Sequence, residues 1–150
     1  MKKGKWKHGE YTVENPNKYI GTKNPKYRSS WEEKFLYWCD HSPKIYKWGY
    51  ECLDITYYSP IDNKVHRYFP DFYLEIYDVK NNLNKYIVEV KPYKQTIPPK
   101  IPKRKTKNYL ISVQTYITNQ CKWEAANKFC ASKNIKFKII TENEIFNYTK

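Results

Sequence analysis

Three charged residues set in two short apolar stretches carry the most chemistry in this sequence. Asp71 follows Pro70 directly and heads Phe72-Tyr73-Leu74-Glu75-Ile76-Tyr77, while Glu89 and Lys91 close the stretch Tyr86-Ile87-Val88-Glu89-Val90-Lys91-Pro92. Both stretches read as strands of one hairpin, joined by a mostly polar turn over residues 78–84. Strand side chains alternate faces, so Glu89 and Lys91 project to one side and Val90 to the other. If the strands pair, Asp71 reaches the same edge. Two carboxylates converging with a lysine make a site for a hard cation that can also hold a phosphate.

Glu32 is a fourth candidate. A helix is expected from Ser29 or Ser30, where Ser30 followed by Glu33 fits a capping box. Wound at about 100° per residue from Trp31, the residues Trp31, Phe35, Leu36, Trp38 and Cys39 form an apolar arc. Glu32 falls inside that arc at about 100°, whereas Asp40 at about 180° and Glu33 at about 200° face out. A carboxylate on a buried stripe is costly unless it is paired or bound to a metal. That position supports Glu32 as a site residue; pairing with a neighbouring lysine, or capping of its own helix, is the alternative.

Pro70-Asp71 and Glu89-Val90-Lys91, with seventeen residues between the two acids, resemble the core motif of the PD-(D/E)xK nuclease superfamily. Arg28-Ser29-Ser30-Trp31-Glu32, His66-Arg67-Tyr68-Phe69-Pro70-Asp71-Phe72, and Glu89-Val90-Lys91-Pro92 with Gln95-Thr96 and Pro98-Pro99 are similar to the head-completion nucleases of T-even-type tailed phages. So are Asn119-Gln120-Cys121-Lys122-Trp123-Glu124-Ala125-Ala126 and Ile140-Thr141-Glu142, and the likeness spans about residues 16–148. The resemblance implies a restriction-endonuclease-like α/β core with a mixed central sheet flanked by helices. It implies metal-dependent cutting of DNA, leaving 5′-phosphate and 3′-hydroxyl ends, during head completion in the host cytoplasm or in the virion head. Asp71, Glu89, Glu32 and the Val90 carbonyl would hold Mg²⁺, or Mn²⁺ in its place, and Lys91 would act beside them. Phage head or portal-vertex proteins are the candidate partners.

Charge is distributed to match. The chain carries a formal net charge of +13, yet residues 31–90 hold seven basic and ten acidic side chains. Residues 1–30 carry eight basic and two acidic side chains, and 91–107 carry seven basic and none acidic. Positive flanks around an acidic centre suit a protein that holds polyphosphate against a cation-binding cluster; a basic surface that only aids solubility is the alternative. At 150 residues the chain is read as one domain, 1–150, with a basic arm (1–28) and a basic proline-rich loop (92–107). No apolar run reaches membrane-spanning length. The four cysteines lack zinc-site spacing and are expected to be reduced, with Cys39 and Cys130 packed in the core.

The arm, with Trp6, Tyr11 and Tyr19, reads as an extended segment that drapes along DNA or packs on the body. Strands are expected over 45–48, 51–58, 65–69 and 135–140, and two helices between about 108 and 130. Prolines 92, 98, 99 and 102 exclude a regular helix from the loop. Its Lys94, Lys100, Lys103, Arg104 and Lys105, together with Gln95 and Arg67, are the candidate DNA contacts. Gln95 would contact substrate or metal shell, although the prolines keep it off the helix where the superfamily's glutamine sits. His66 is read as structural. Two rival functions share these features: a non-catalytic head protein that holds DNA ends, and a transposase-type subunit that cleaves them.

Overall fold

The computed structural model describes residues 8–148, with side chains through Ile145; Trp6 of the arm lies outside them. A four-stranded mixed sheet is built from β3 (Ile45–Tyr50), β6 (Phe72–Tyr77), β7 (Leu83–Val90) and β8 (Lys136–Ile140), in the order β3-β6-β7-β8. The first two pairings are antiparallel and β7–β8 is parallel. A parallel pair needs a crossover, and α2 (Lys107–Ser132) supplies it. A separate hairpin, β4 (Ile55–Ser59) with β5 (Lys64–Tyr68), lies outside this sheet.

Strand alternation sorts the apolar side chains into two cores. Phe72, Leu74, Val88, Val90 and Ile140 face α1 (Ser30–His41), meeting Phe35, Leu36 and Cys39, with Ile145 of α3 (Glu142–Tyr148) beside them. Phe35 and Phe72 pack edge to face at 4.7 Å. Ile87 faces the other way, against Ile55 and Tyr68 of the hairpin and Trp123, Ala126 and Cys130 of α2. The sheet is therefore covered on both faces, and its polar end is where the candidate residues gather. Cys39 and Cys130 are buried and all four cysteines are free thiols.

Four local expectations change. Residues 51–54 do not extend β4, because Glu51 adopts φ 47° and turns the chain off the sheet. The capping box is Ser29 with Glu32, not Ser30 with Glu33: the Ser29 hydroxyl accepts the Glu32 N–H at 3.1 Å. The expected pair of helices after residue 108 is one continuous α2. Its apolar stripe shifts along its length, since the first half meets the proline-rich loop and the second half the sheet, and no Gly or Pro interrupts it. A capping box at Thr141 and Glu144 opens α3, the Glu144 carboxylate accepting the Thr141 N–H at 2.8 Å.

Asp40 is the fourth change. It is fully buried, although the outward side of α1 was its expected place. The arm covers that side: the Asp40 carboxylate accepts the Tyr11 hydroxyl (2.8 Å) and the N–H groups of Glu14 (2.8 Å) and Asn15 (3.1 Å). Lys18 donates to the Ser42 carbonyl, and Ile20 N–H to the Trp48 carbonyl along the free edge of β3. The strands β1 (Gly9–Glu10) and β2 (Lys26–Tyr27) close the segment on itself. Residues 8–28 are thus packed on the body. Asp40→Ala leaves three donors without their acceptor, at about 1–3 kcal/mol for a buried orphan. Allowing for water reaching some of them, a loss of about 2–4 kcal/mol is expected in urea unfolding, with Asp40→Asn intermediate.

Candidate active site

The site forms where β6 begins and β7 ends. Phe72 pairs with Val88, so one step further along the register Asp71 stands across from Glu89. The Val90 N–H donates to Asp71 Oδ2 at 2.8 Å. Lys91 N–H donates the opposite way, to the Ile140 carbonyl at 3.0 Å. Within a strand a residue's N–H and C=O share one edge, so the Val90 carbonyl also faces the Asp71 side.

Glu89 is 5% exposed. Its Oε2 accepts the Tyr68 hydroxyl at 2.6 Å, and its Oε1 lies 3.4 Å from Lys91 Nζ. The Lys91 side chain is 28% exposed, so the lysine side of the ion pair opens to solvent. Burial, followed by the Glu89 charge, pushes the Asp71 carboxyl well above the usual carboxylate range; the Val90 N–H and Lys91 oppose the shift. Two acids crowded in low dielectric cannot both ionise cheaply without a cation.

Glu32 sits at the rim, reaching in from the first turn of α1. Its carboxylate accepts the Tyr50 hydroxyl (3.2 Å) and the Arg28 N–H (3.4 Å). It therefore serves its own helix start as well as facing the cluster. Burial raises its pKa, and its charge contributes to raising that of Asp71. Among the described residues no three His, Cys, Asp or Glu side chains are close enough to hold one ion together. The ready donor set is the pair Asp71 and Glu89, and it fits a hard cation: two buried, mutually repelling oxygen donors with a backbone carbonyl alongside.

Three residues that sequence reasoning did not single out belong to this environment. Tyr68 orients Glu89, and its hydroxyl is pushed well up by burial and by the Glu89 charge. Tyr50 does the same for Glu32, while also donating to the Lys26 carbonyl at 2.8 Å. Lys122 projects from α2 with its ammonium 5.5 Å from the Tyr68 ring centroid and 5.8 Å from that of Tyr57. Burial and the Lys91 charge lower its pKa, against the attraction of Glu89 and Asp71. A continuous α2 would have flagged it, because Lys122 lies about 40° from Ala126 on the helix wheel, at the border of the buried stripe.

The expected DNA contacts fall on the proline-rich loop and on β5. Lys94 and Gln95 fall on a single 3₁₀ turn, Tyr93–Gln95, pinned by the Glu142 carboxylate accepting the Tyr93 N–H at 2.9 Å. Gln95 is half-buried and lines a cavity of about 420 Å³ against Ile111, Thr115 and Tyr116 of α2. Lys100, Lys103, Arg104 and Lys105 are all exposed on the irregular remainder of the loop. Arg67 projects away from its neighbour Tyr68, pairs with Asp54 at 3.0 Å and lies over the Phe69 ring. His66 contacts Asp62 at 2.7 Å on the hairpin.

The model of the N-terminal domain of TnsA-like endonucleases matches residues 42–142, a span that includes Asp71, Glu89, Lys91 and Lys122. The head completion nuclease of Enterobacteria phage T4 is 34% identical over 140 residues, covering 90% of this chain and 91% of that protein. No solved structure matches. With a mixed sheet flanked by helices and an acid pair beside a lysine at its end, the chain belongs to the TnsA-like endonuclease family.

Proposed function

We propose that this protein is a divalent-metal-dependent DNA endonuclease acting in phage head completion, and that Asp71, Glu89 and Lys91 form its catalytic centre. The observation that carries the reading is the geometry of the acid pair: Asp71 heads β6 across from Glu89 near the end of β7, and Lys91 Nζ lies 3.4 Å from the Glu89 carboxylate. The name of the phage T4 relative supports a nuclease role in head completion. In that role the protein acts in the host cytoplasm while particles assemble, and head or portal-vertex proteins are its partners.

Asp71, Glu89 and the Val90 carbonyl would hold Mg²⁺ or Mn²⁺, with Glu32 adding charge from the rim. Such an ion makes water a competent nucleophile near neutral pH and offsets the charge that grows on the phosphate oxygens. Tyr68 would fix the orientation of the Glu89 carboxylate through their buried 2.6 Å hydrogen bond. Lys91 presents its exposed side to the scissile phosphate and stabilises the same developing charge. The test is a nicking assay on linear, circular, single-stranded and branched DNA. Cutting is expected with Mg²⁺ or Mn²⁺, and binding without cutting with Ca²⁺, whose looser coordination misplaces the water. Undiminished cutting in excess EDTA would remove the metal from the reading.

The proline-rich loop would grip DNA phosphates next to the site. Each phosphate contact contributes about 0.9 to the slope of log affinity against log salt on duplex DNA. Replacing Lys103, Arg104 and Lys105 with alanine is therefore expected to flatten that slope by about 2.7, while turnover at saturating DNA survives. A loop that docks on the phage head instead would leave the slope unchanged and abolish particle binding.

A further inference from the structure

We propose that Lys122 is a second phosphate-contacting lysine of the active site, set beside the Asp71–Glu89 pair together with Lys91, and that it binds the DNA strand that is cut. This rests on the nuclease reading above and assigns that site a substrate-binding residue on α2.

The geometry is specific. Lys122 rises from the crossover helix, on the border of the face that packs on the sheet, and is half-buried. Its ammonium lies close to the rings of Tyr68 and Tyr57. Among the described residues it forms no ion pair, whereas Lys91 closes one on Glu89. A cation withdrawn from water needs compensation, and here aromatic faces supply part of it. The field of Glu89 and Asp71 adds to it, although burial and the Lys91 charge still hold the Lys122 pKa below the ordinary lysine value. That second source weakens once a divalent ion shares the two carboxylates. Two acids, two lysines and a dication leave an excess of two positive charges around one cleft, which a phosphodiester of the bound strand reduces. Lys91 follows the end of β7 and Lys122 projects from α2, so a phosphate between them would be held from two elements. The crossover helix is what brings Lys122 over Tyr68 at the end of β5.

The Tyr68 ring gives the same residue a positioning partner. Tyr68 touches Glu89 through its hydroxyl and Lys122 through its face. Lys122→Met keeps the aliphatic stem against those rings and deletes only the charge, and Lys122→Arg keeps the charge.

The experiment measures duplex DNA affinity across a salt series in EDTA, so that the readout does not depend on metal-supported turnover, together with thermal unfolding and single-turnover cleavage in Mg²⁺. Lys122→Met is expected to flatten the slope of log affinity against log salt by about 0.9. Its cleavage should fall about 100-fold, a typical loss for removing one donor to a developing oxyanion, with an unfolding temperature at or above that of the wild type. Lys122→Arg should keep the wild-type slope and most of the cleavage. An unchanged slope in Lys122→Met overturns the proposal, as does an equal change of slope in both variants, which would mean that Lys122 only packs. If Lys122→Met fails to fold, Lys122→Arg still decides, because a lost slope in the folded, charged variant contradicts phosphate contact. Failure of the wild-type protein to cut any DNA would instead overturn the nuclease reading itself.

Discussion

Asp71→Asn is expected to lose about 10³-fold or more in DNA cleavage while folding at least as stably as the wild type. The amide oxygen still accepts the Val90 N–H, so the local hydrogen bond survives. What disappears is a charge that the fold holds at a cost. The Asp71 carboxyl titrates above its ordinary value because it is buried and faces Glu89. A raised carboxyl pKa makes no difference to stability below the unfolded value, and its ionisation opposes folding as pH rises through the folded value. In EDTA the wild type should therefore lose stability as pH climbs above about 4, and Asp71→Asn should lose less. At pH 7 the variant should be unchanged or more stable by about 1 kcal/mol. Glu89→Gln should fail in catalysis to the same degree, although it leaves Lys91 without its ion pair and gains less stability. Circular dichroism melts paired with a nicking assay check both variants. A folded variant that cuts at the wild-type rate would remove that residue from the centre.

Glu32→Gln against Glu33→Gln is the second large contrast. Glu32 lies three residues after the N-cap Ser29, and glutamine serves a capping box as well as glutamate does. Glutamine can also accept the Tyr50 hydroxyl. The substitution thus preserves the helix start and deletes only the charge that reaches Asp71. Cleavage is expected to fall about 100-fold in Glu32→Gln and to stay within about twofold in Glu33→Gln. Equal losses at both positions, with lowered unfolding temperatures, would reduce Glu32 to a helix cap.

The sheet end was legible because period-two alternation is a strong local signal. Pro70 and Asp71 mark one strand start, Glu89 and Lys91 one strand end, and the apolar residues between them leave one register that buries both faces. Glu32 was legible for the same kind of reason, as a charge within a helical apolar arc. Asp40 was not, because its partners, the Tyr11 hydroxyl and two backbone N–H groups, lie twenty-five or more residues away, and helical periodicity cannot see a segment that folds over the outer face. Lys122 and Tyr68 were missed for a tertiary reason as well. They become site residues only when α2 and the β4–β5 hairpin close over the same sheet face. The drift of the apolar stripe along α2 also suggested two helices, which hid the wheel position of Lys122. Asn63, Asn81 and Asn134, all at positive φ in turns, show the easier case, where one residue type suits the local backbone.

The central claim is that Asp71 and Glu89 together hold the divalent ion on which cutting depends. The most direct measurement is calorimetric titration of Mn²⁺ into EDTA-stripped, dialysed protein without DNA, comparing the wild type with Asp71→Asn and Glu89→Gln. Saturable binding by the wild type is predicted, weakened at least about 30-fold in each variant, since each loses one of two charged oxygen donors. Wild-type Mn²⁺ affinity in both folded variants would contradict the account.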